Sequence, residues 1–226
     1  MTSIAENLDH VRRAVAAACR AVGRDESDVR LLPVSKTHPV SDIGEAVAAG
    51  CAQFGENRVQ EMASKAAQLA RISWVLIGHL QRNKAALACS VMSELQSLDS
   101  LRLAEVLDRW YDANRPDERL TVLVEVNTSG ELTKSGIQPQ DVLGFTQALT
   151  AYPHLDVRGL MTVAHPDPQL ADAGFALMSD LQNRLQDRDG RGWHDLSMGM
   201  SADFTSAIAH GSTCVRIGTA IFGQRS

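Results

Sequence analysis

A lysine at the end of a short apolar segment is the first residue whose position indicates chemistry. Residues 31–35 (LLPVS) predict a buried strand, and Lys36 follows at its end. Desolvation lowers the pKa of a lysine and favours the neutral amine, which is the nucleophile of Schiff-base chemistry. By itself the segment more readily fits a strand-end lysine whose ammonium stays in water, so Lys36 is a candidate that needs support from elsewhere in the chain.

Two glycine-containing segments near the end of the chain could bind an anion. Residues 196–203 (LSMGMSAD) predict a strand, a glycine turn and Ser201 at a helix start, where amide groups and a hydroxyl converge. Residues 215–223 (VRIGTAIFG) place Gly218 and Thr219 beside Arg216. Barrels of alternating strands and helices often bind phosphate on the loops after strands seven and eight. If these segments are those two loops, together they predict a phosphate site.

Other polar clusters predict less. Asn57 and His79 lie in segments that end two further predicted strands, where either could serve only in a turn or a cap. Glu125 is predicted to point from a strand into the barrel, with Lys36 or a neighbouring arginine as its partner. Residues 128–136 predict an exposed polar loop with some motion as a lid. The spacings H-x-H and H-E-x-x-H do not occur, so we expect no metal site.

The order of predicted elements gives these residues a scaffold. An amphipathic helix comes first, with Ser3 and Glu6 spaced as a capping box and Gly23 placed to end it. Helical stretches then alternate with eight apolar runs, which favours a closed parallel (β/α)8 TIM barrel with an extra N-terminal helix. With no linker or repeat, residues 1–226 are predicted to form one domain. The predicted strands are 31–35, 52–55, 74–78, 94–97, 121–127, 157–162, 193–197 and 214–217. The predicted helices lie near 40–49, 58–70, 82–88, 100–113, 139–150, 168–188 and 202–210.

Composition excludes several classes of partner. The net charge of −5 offers no basic surface for nucleic acid or an anionic membrane. There is no signal-peptide pattern and no apolar run long enough to span a bilayer, so a cytoplasmic location is expected. The four cysteines show no metal-ligand spacing and are predicted to be reduced, buried thiols: Cys19, Cys51, Cys89 and Cys214.

Six segments, in this order, together resemble the pyridoxal phosphate homeostasis proteins, which are PLP-binding proteins of the alanine racemase N-terminal-domain type. The resemblance runs from about residue 4 to 223 and implies a fold-type III PLP barrel, with pyridoxal 5′-phosphate (PLP) held as a Schiff base on Lys36. Arg58 stands where the family commonly has tyrosine, a departure that concerns the mouth of the site. The segments are VSKTHPV, FGENRVQE, IGHLQRNK, GLMT, SMGMSADF and VRIGTAIFG.

The same resemblance implies roles for individual residues. Ser201, Gly218 and Thr219, with amide groups around Met200, would hold the phosphate, and Arg216 would lie against the pyridine nitrogen. Asn57 and His79 fall in family motifs near the cofactor. The implied cofactor-binding residues are therefore Lys36, Asn57, His79, Met200, Ser201, Arg216, Gly218 and Thr219.

Three functions remain to be distinguished. The family implies a non-catalytic role in vitamin B6, PLP and amino-acid homeostasis, with PLP-dependent apo-enzymes as recipients and a monomeric state expected. An amino-acid racemase needs a second proton donor opposite Lys36, yet Tyr111 and Tyr152 fall in or beside predicted helices, and the chain ends soon after the phosphate motif, before the second domain of alanine racemases. A Schiff-base aldolase acting on a sugar phosphate fits the barrel and the phosphate loops equally well.

Overall fold

Short strands alternate with helices throughout the computed structural model, which describes residues 3–131, 134–190 and 192–224. The eight strands form one parallel sheet in the order β1-β8-β7-β6-β5-β4-β3-β2. A parallel bridge between Val34 and Gly55 joins β1 to β2, where the Ser35 amide donates to the Gly55 oxygen at 3.1 Å. The sheet therefore closes, which confirms the predicted (β/α)8 barrel. The strands are β1 Arg30–Pro33, β2 Gln53–Glu56, β3 Ser73–Leu76, β4 Met92–Leu98, β5 Leu120–Glu125, β6 Leu155–Met161, β7 Asp195–Ser197 and β8 Cys214–Ile217.

The helices surround the barrel and follow the predicted stretches within a few residues. The predicted helix near 139–150 is interrupted, because 3₁₀ turns at 139–141 and 149–151 flank a shorter α-helix. A short helix after β8 was not predicted, since its four residues are too few to show a helical period. The helices are α1 Ile4–Ala21, α2 Val40–Ala48, α3 Val59–Ala66, α4 Ala85–Val91, α5 Leu101–Asn114, α6 Val142–Ala148, α7 Pro168–Asp189, α8 Phe204–Ala209 and α9 Thr219–Phe222.

The extra helix α1 begins with the predicted capping box. The Ser3 hydroxyl accepts from the Glu6 amide at 3.2 Å, and the Glu6 carboxylate accepts from the Ser3 amide at 2.8 Å. The apolar face of the helix is buried at Leu8, Val11 and Val15. The Asn7 side-chain amide donates to the Ile221 oxygen at 2.9 Å, so α1 is joined to the element that follows β8.

The barrel interior is divided into an apolar and a polar part. Leu32, Val75 and Cys214, with Ile77 beside them, form a small buried apolar cluster apart from the main core between strands and helices. Polar and charged side chains of β4, β7 and β8 are buried elsewhere in the interior: Glu94, Gln96, Ser197 and Arg216. The four cysteines are free thiols, three of them buried and Cys51 half-buried. Within the described ranges, no helix combines the length and the apolar character needed to cross a membrane.

Gly159 on β6 allows the main chains of β6 and β7 to approach each other. A Cβ built on Gly159 would overlap the main-chain oxygen of Asp195. We expect Gly159→Ala to lower the free energy of unfolding by about 3 kcal/mol, since backbone atoms cannot move aside cheaply. Urea unfolding measures the change. Gly144→Ala in α6, where a Cβ meets open space, is the control and should be neutral or stabilising by up to about 1 kcal/mol. Equal losses in the two variants would contradict the close approach.

Candidate functional site

Lys36 lies at the C-terminal rim of the barrel, in a turn that follows β1. The residue is half-buried, and the Val34 bridge precedes it by two positions. Strand β1 pairs with β8 along its length, with Leu32 opposite Arg216 and Pro33 opposite Ile217. A Cβ built on Gly218 would lie 3.2 Å from the Val34 main-chain oxygen. The loop after β8 is therefore packed against the segment that carries Lys36, and the structure brings these two predicted parts of the site together.

A group of buried charges holds the main chain on both sides of Lys36. The Lys65 ammonium donates to the main-chain oxygen of Ser35 at 2.8 Å, to Glu56 Oε1 at 2.7 Å and to Glu61 Oε1 at 2.7 Å. Ser35 Oγ donates to Glu56 Oε1 at 2.6 Å, and the Thr37 amide donates to Glu61 Oε1 at 2.5 Å. We call these five residues the strand-one clamp.

The two carboxyl groups of the clamp respond oppositely to their surroundings. Burial raises the pKa of Glu56 above its ordinary value, even though Lys65 and Ser35 bind its charged form. Burial alone would also raise the pKa of Glu61, but the bonds from Lys65 and the Thr37 amide outweigh it and lower that pKa. Glu61 is therefore the firmly ionised partner of Lys65.

Arg216 projects into the barrel interior and is 4% exposed. Its Nη1 donates to Ser197 Oγ at 2.7 Å, and its Nη2 donates to the Thr162 oxygen at 2.7 Å. Burial lowers the pKa of Arg216, and Glu125 and Asp203 are among the groups whose charges oppose that change. A guanidinium remains protonated at neutral pH even so. Arg216 is therefore a fixed positive charge that can only donate hydrogen bonds.

The bond from Arg216 continues as a chain across the barrel. Because Ser197 Oγ accepts from Arg216, its proton goes to Gln96 Oε1 at 2.7 Å. The Gln96 amide then donates to Glu94 Oε1 at 2.6 Å, and Glu94 accepts both Nη groups of Arg30 at 2.7 and 2.8 Å. In this series of hydrogen bonds, arginine can only donate and the carboxylate can only accept. The donor and acceptor roles of Ser197 and Gln96 between them are thereby fixed.

Asn57, Glu125 and the clamp residue Glu56 each carry a buried oxygen at the mouth that has no hydrogen-bond partner among the described residues. These atoms are Asn57 Oδ1, Glu125 Oε2 and Glu56 Oε2. Glu125 ends β5 and is 9% exposed, and its charge acts on Arg216 in the barrel interior, which agrees with the predicted inward orientation. Burial and, to a smaller extent, the charge of Asp99 raise the pKa of Glu125 to about 7, against the opposing charges of His79 and Arg216.

His79 lies at the edge of the site. Its side chain is half-exposed, and Nδ1 lies 2.9 Å from Asp99 Oδ2. The pair lines an open cavity of about 680 Å³ beside the loops that follow β3 and β4, together with Arg82 and Arg102. His79 is therefore a rim residue paired with a carboxylate.

The loop after β7 differs from the prediction for Ser201. Helix α8 begins only at Phe204, so Ser201 lies in an exposed turn and does not start the helix. The turn is closed by Asp203, whose Oδ1 accepts from the Met200 amide at 2.6 Å. Gly199 enters it with a φ of 95°, which favours glycine. A phosphate bound by the Met200 amide would have to displace the Asp203 carboxylate.

The loop after β8 leads directly into α9. Gly218 precedes the helix, and Thr219 is its exposed first residue. Amide groups of a first helical turn have no partner within the helix and can donate to an anion. Gly218 and Thr219 therefore lie in the loop after β8, beside the end of β1; their role with a phosphate stays a prediction.

The polar segment after β5 is organised by Asn127. Its side-chain amide donates to the main-chain oxygen of Glu131 at 2.8 Å, and its Oδ1 accepts from the main-chain amide of Ser129 at 3.1 Å. The segment returns to the barrel where the Ile137 amide donates to the main-chain oxygen of Glu125 at 2.7 Å. Residues 132 and 133 of the predicted mobile loop lie outside the described ranges.

Neither tyrosine is at the mouth. Tyr111 is buried in α5 with its ring against Trp110, and Tyr152 follows the 3₁₀ turn before β6, at the opposite end of the strand from the site. Among the described residues, no group of three histidine, cysteine, aspartate or glutamate side chains could hold a metal ion.

Sequence reasoning missed the residues that support Lys36 and Arg216. Lys65 carried a usable signal, because Val59 and Met62 precede it at intervals of three on the buried face of α3. A lysine at such a position needs a buried acceptor. Gln96 and Ser197 carried none, since which face of a strand lies inside depends on how the barrel closes.

Comparisons with known proteins agree with this geometry. Residues 4–226 match the family model described as alanine racemase, N-terminal domain. The chain is 41% identical to the pyridoxal phosphate homeostasis protein of Vibrio cholerae, over 100% of this chain and 98% of that protein. These matches confirm the resemblance drawn from the motifs.

Two solved structures extend the comparison. PipY of Synechococcus elongatus, in a structure with PLP bound, superposes with a TM-score of 0.84 at 34% identity, covering 98% of this chain and 100% of PipY. An alanine racemase of Clostridium difficile has a TM-score of 0.72 at 16% identity, covering 94% of this chain and 56% of the racemase. The second likeness concerns the fold alone.

Glu125 gives the stability of the protein a pH dependence. The folded state keeps the Glu125 proton up to about pH 7, whereas the unfolded chain loses it near 4.5, so the contribution of this group falls as pH rises through that window. We expect Glu125→Gln to raise the free energy of unfolding above pH 7 by up to about 3 kcal/mol, and the gain to vanish below about pH 4.5. Urea unfolding across that range measures it. Glu105→Gln, on half-exposed Glu105 of α5, is the control; a gain that is the same at every pH would contradict the assignment to Glu125.

Proposed function

The chain belongs to the alanine racemase N-terminal-domain family and, within it, to the pyridoxal phosphate homeostasis proteins, and from that premise we propose that it binds PLP at the C-terminal mouth of its barrel. The observation that carries the proposal is the packing of the Gly218 loop against the strand that leads to Lys36. The turn that carries Lys36 and the amides at the start of α9 are thereby adjacent at one rim of the barrel. Relatives named for PLP homeostasis, and PipY with PLP bound, support the same ligand.

The residues at the mouth fit the groups that PLP presents. PLP would supply an aldehyde, and the neutral Lys36 amine would hold it as a Schiff base, with the aldehyde oxygen lost as water together with the two amine protons. Ser201, Gly218, Thr219 and the Met200 amide would hold the phosphate. Asn57 and Glu125, whose buried oxygens have no partner in the described part of the chain, indicate a ligand with hydrogen-bonding groups beside them.

Arg216 supports retention of the cofactor over turnover of a substrate. A guanidinium that only donates hydrogen bonds discourages protonation of the pyridine nitrogen, which weakens the ring as an electron sink. Racemases share this feature, so it mutes carbanion chemistry without abolishing it. The positions of Tyr111 and Tyr152 add a second argument, since neither is placed to deliver a proton opposite Lys36.

The biological role we propose is a non-catalytic one. The protein holds PLP reversibly in the cytoplasm as a monomer, with His79 at the rim of the site, and takes part in vitamin B6, PLP and amino-acid homeostasis. PLP-dependent apo-enzymes are the proposed recipients. The open cavity that His79 borders, between the loops after β3 and β4, supports contact of such partners with this part of the rim.

The covalent attachment is tested by an absorption spectrum. Purified protein is expected to be yellow, and Lys36→Ala is expected to lose the visible band because the other amine near the end of β1, that of Lys65, is held by Ser35, Glu56 and Glu61. Colourless protein that borohydride traps only with an added sugar phosphate would instead indicate an aldolase. Racemisation of alanine that disappears in Lys36→Ala would contradict the non-catalytic role.

The phosphate and ring positions are tested by retention of PLP. Arg216→Glu and Ser201→Ala are each expected to weaken PLP binding by roughly tenfold or more, as removal of a hydrogen bond to a charged group does. Equilibrium dialysis measures the change, and a thermal unfolding curve checks that each variant is folded. Ser206→Ala on α8, whose hydroxyl binds Asp172, is the control. If both variants retain PLP as tightly as the parent, the assigned positions are wrong.

A further inference from the structure

Thr37, the residue after Lys36, has an unfavourable backbone conformation. Its φ is 68°, in the left-handed region that β-branched residues rarely adopt. Such a conformation persists only where neighbouring groups hold it, and it is often found at functional sites. The turn that carries Lys36 is therefore held in place against its own preference.

Glu61 is the group that holds the turn. It accepts the Thr37 amide at 2.5 Å and is bound in turn by Lys65 at 2.7 Å. Lys65 also donates to the main-chain oxygen of Ser35 at 2.8 Å. One ammonium therefore holds the residue before Lys36 directly and the residue after it through Glu61. Lys65 is 5% exposed and its other acceptor, Glu56, is fully buried. An ammonium buried in this way is fixed by its acceptors, because loss of any of these hydrogen bonds would leave a buried charge without a partner.

We propose that Lys65 is a positioning residue for Lys36, and that it acts through Glu61 and the strained Thr37 turn. The inference rests on the proposed function. Fixing the peptide groups on both sides of Lys36 fixes the direction in which its side chain leaves the main chain. A prealigned amine reacts with a bound aldehyde at a higher effective concentration than a mobile one. The strand-one clamp thereby favours formation of the C=N bond while leaving the phosphate loops unchanged.

The test compares PLP with 4′-deoxypyridoxine 5′-phosphate, which carries the same ring and phosphate but a methyl group in place of the aldehyde. Glu61→Leu removes the acceptor of the Thr37 amide, and Lys65→Met removes the ammonium. Each is expected to raise the Kd for PLP roughly tenfold, equivalent to about 1.4 kcal/mol. The Kd for the deoxy compound is expected to stay within about twofold, since it forms no bond to Lys36.

A covalent readout and two further variants complete the test. Borohydride reduction at limiting PLP, followed by mass spectrometry, should find less label on Lys36 in both variants. Glu61→Gln keeps an acceptor for the Thr37 amide and should recover most of the PLP affinity. Glu45→Leu, at an exposed glutamate of α2, is the matched control and should equal the parent.

The outcomes separate the inference from its premise. Equal loss of affinity for both ligands would overturn the positioning role, and so would unchanged affinity for PLP. Parent protein that neither binds PLP nor becomes labelled on Lys36 would overturn the proposed function itself. Urea unfolding checks the fold of each variant; if Lys65→Met does not fold, the comparison of Glu61→Leu with Glu61→Gln still decides, because Glu61 keeps 22% of its side chain exposed.

Discussion

The bonds from Arg216 to Ser197 Oγ and to the Thr162 oxygen keep a full positive charge inside an eight-stranded barrel. Removing a guanidinium from water is unfavourable unless its donors are matched, and removing one partner leaves the other charge uncompensated. The interior is organised around this requirement. Ser197 accepts from Arg216 and donates its own proton to Gln96, whose amide group is in turn accepted by Glu94. The polar half of the barrel is therefore one connected unit, whereas Leu32, Val75 and Cys214 fill the other half.

The strand-one clamp meets the same requirement at the other side of the mouth. Lys65 is paired with Glu56 and Glu61 as Arg30 is paired with Glu94. Buried ionic groups of this kind contribute little net stability compared with a well-packed apolar core. Their contribution here is to fix the orientation of side chains, because the clamp holds the residues at the end of β1 in one conformation. The fold thus carries rigid, oriented polar groups to the rim on which Lys36 and the Gly218 loop meet.

The sequence predicted the parts of this arrangement that depend on local pattern. Strand β8 is observed at its predicted bounds, and the capping box of α1 forms as its spacing indicates. One of the errors has a local cause and the other a tertiary one. Ser201 was expected to start a helix, but the Asp203 side chain closes a turn first and delays α8 to Phe204. The role of Lys65 depends on Glu56, nine residues earlier on another element, and no local pattern reveals that such a partner is buried beneath it.

Prearranged donors also explain how one small barrel can hold a cofactor without closing over it. Arg216 already has its guanidinium oriented by two acceptors, so a ligand that meets it need not order the side chain on binding. The Thr37 turn is likewise held by Glu61. Affinity then comes from fixed groups on strand ends, and the cavity beside His79 stays open. On the proposed function, retention of the cofactor depends on how firmly the clamp holds the turn that carries Lys36.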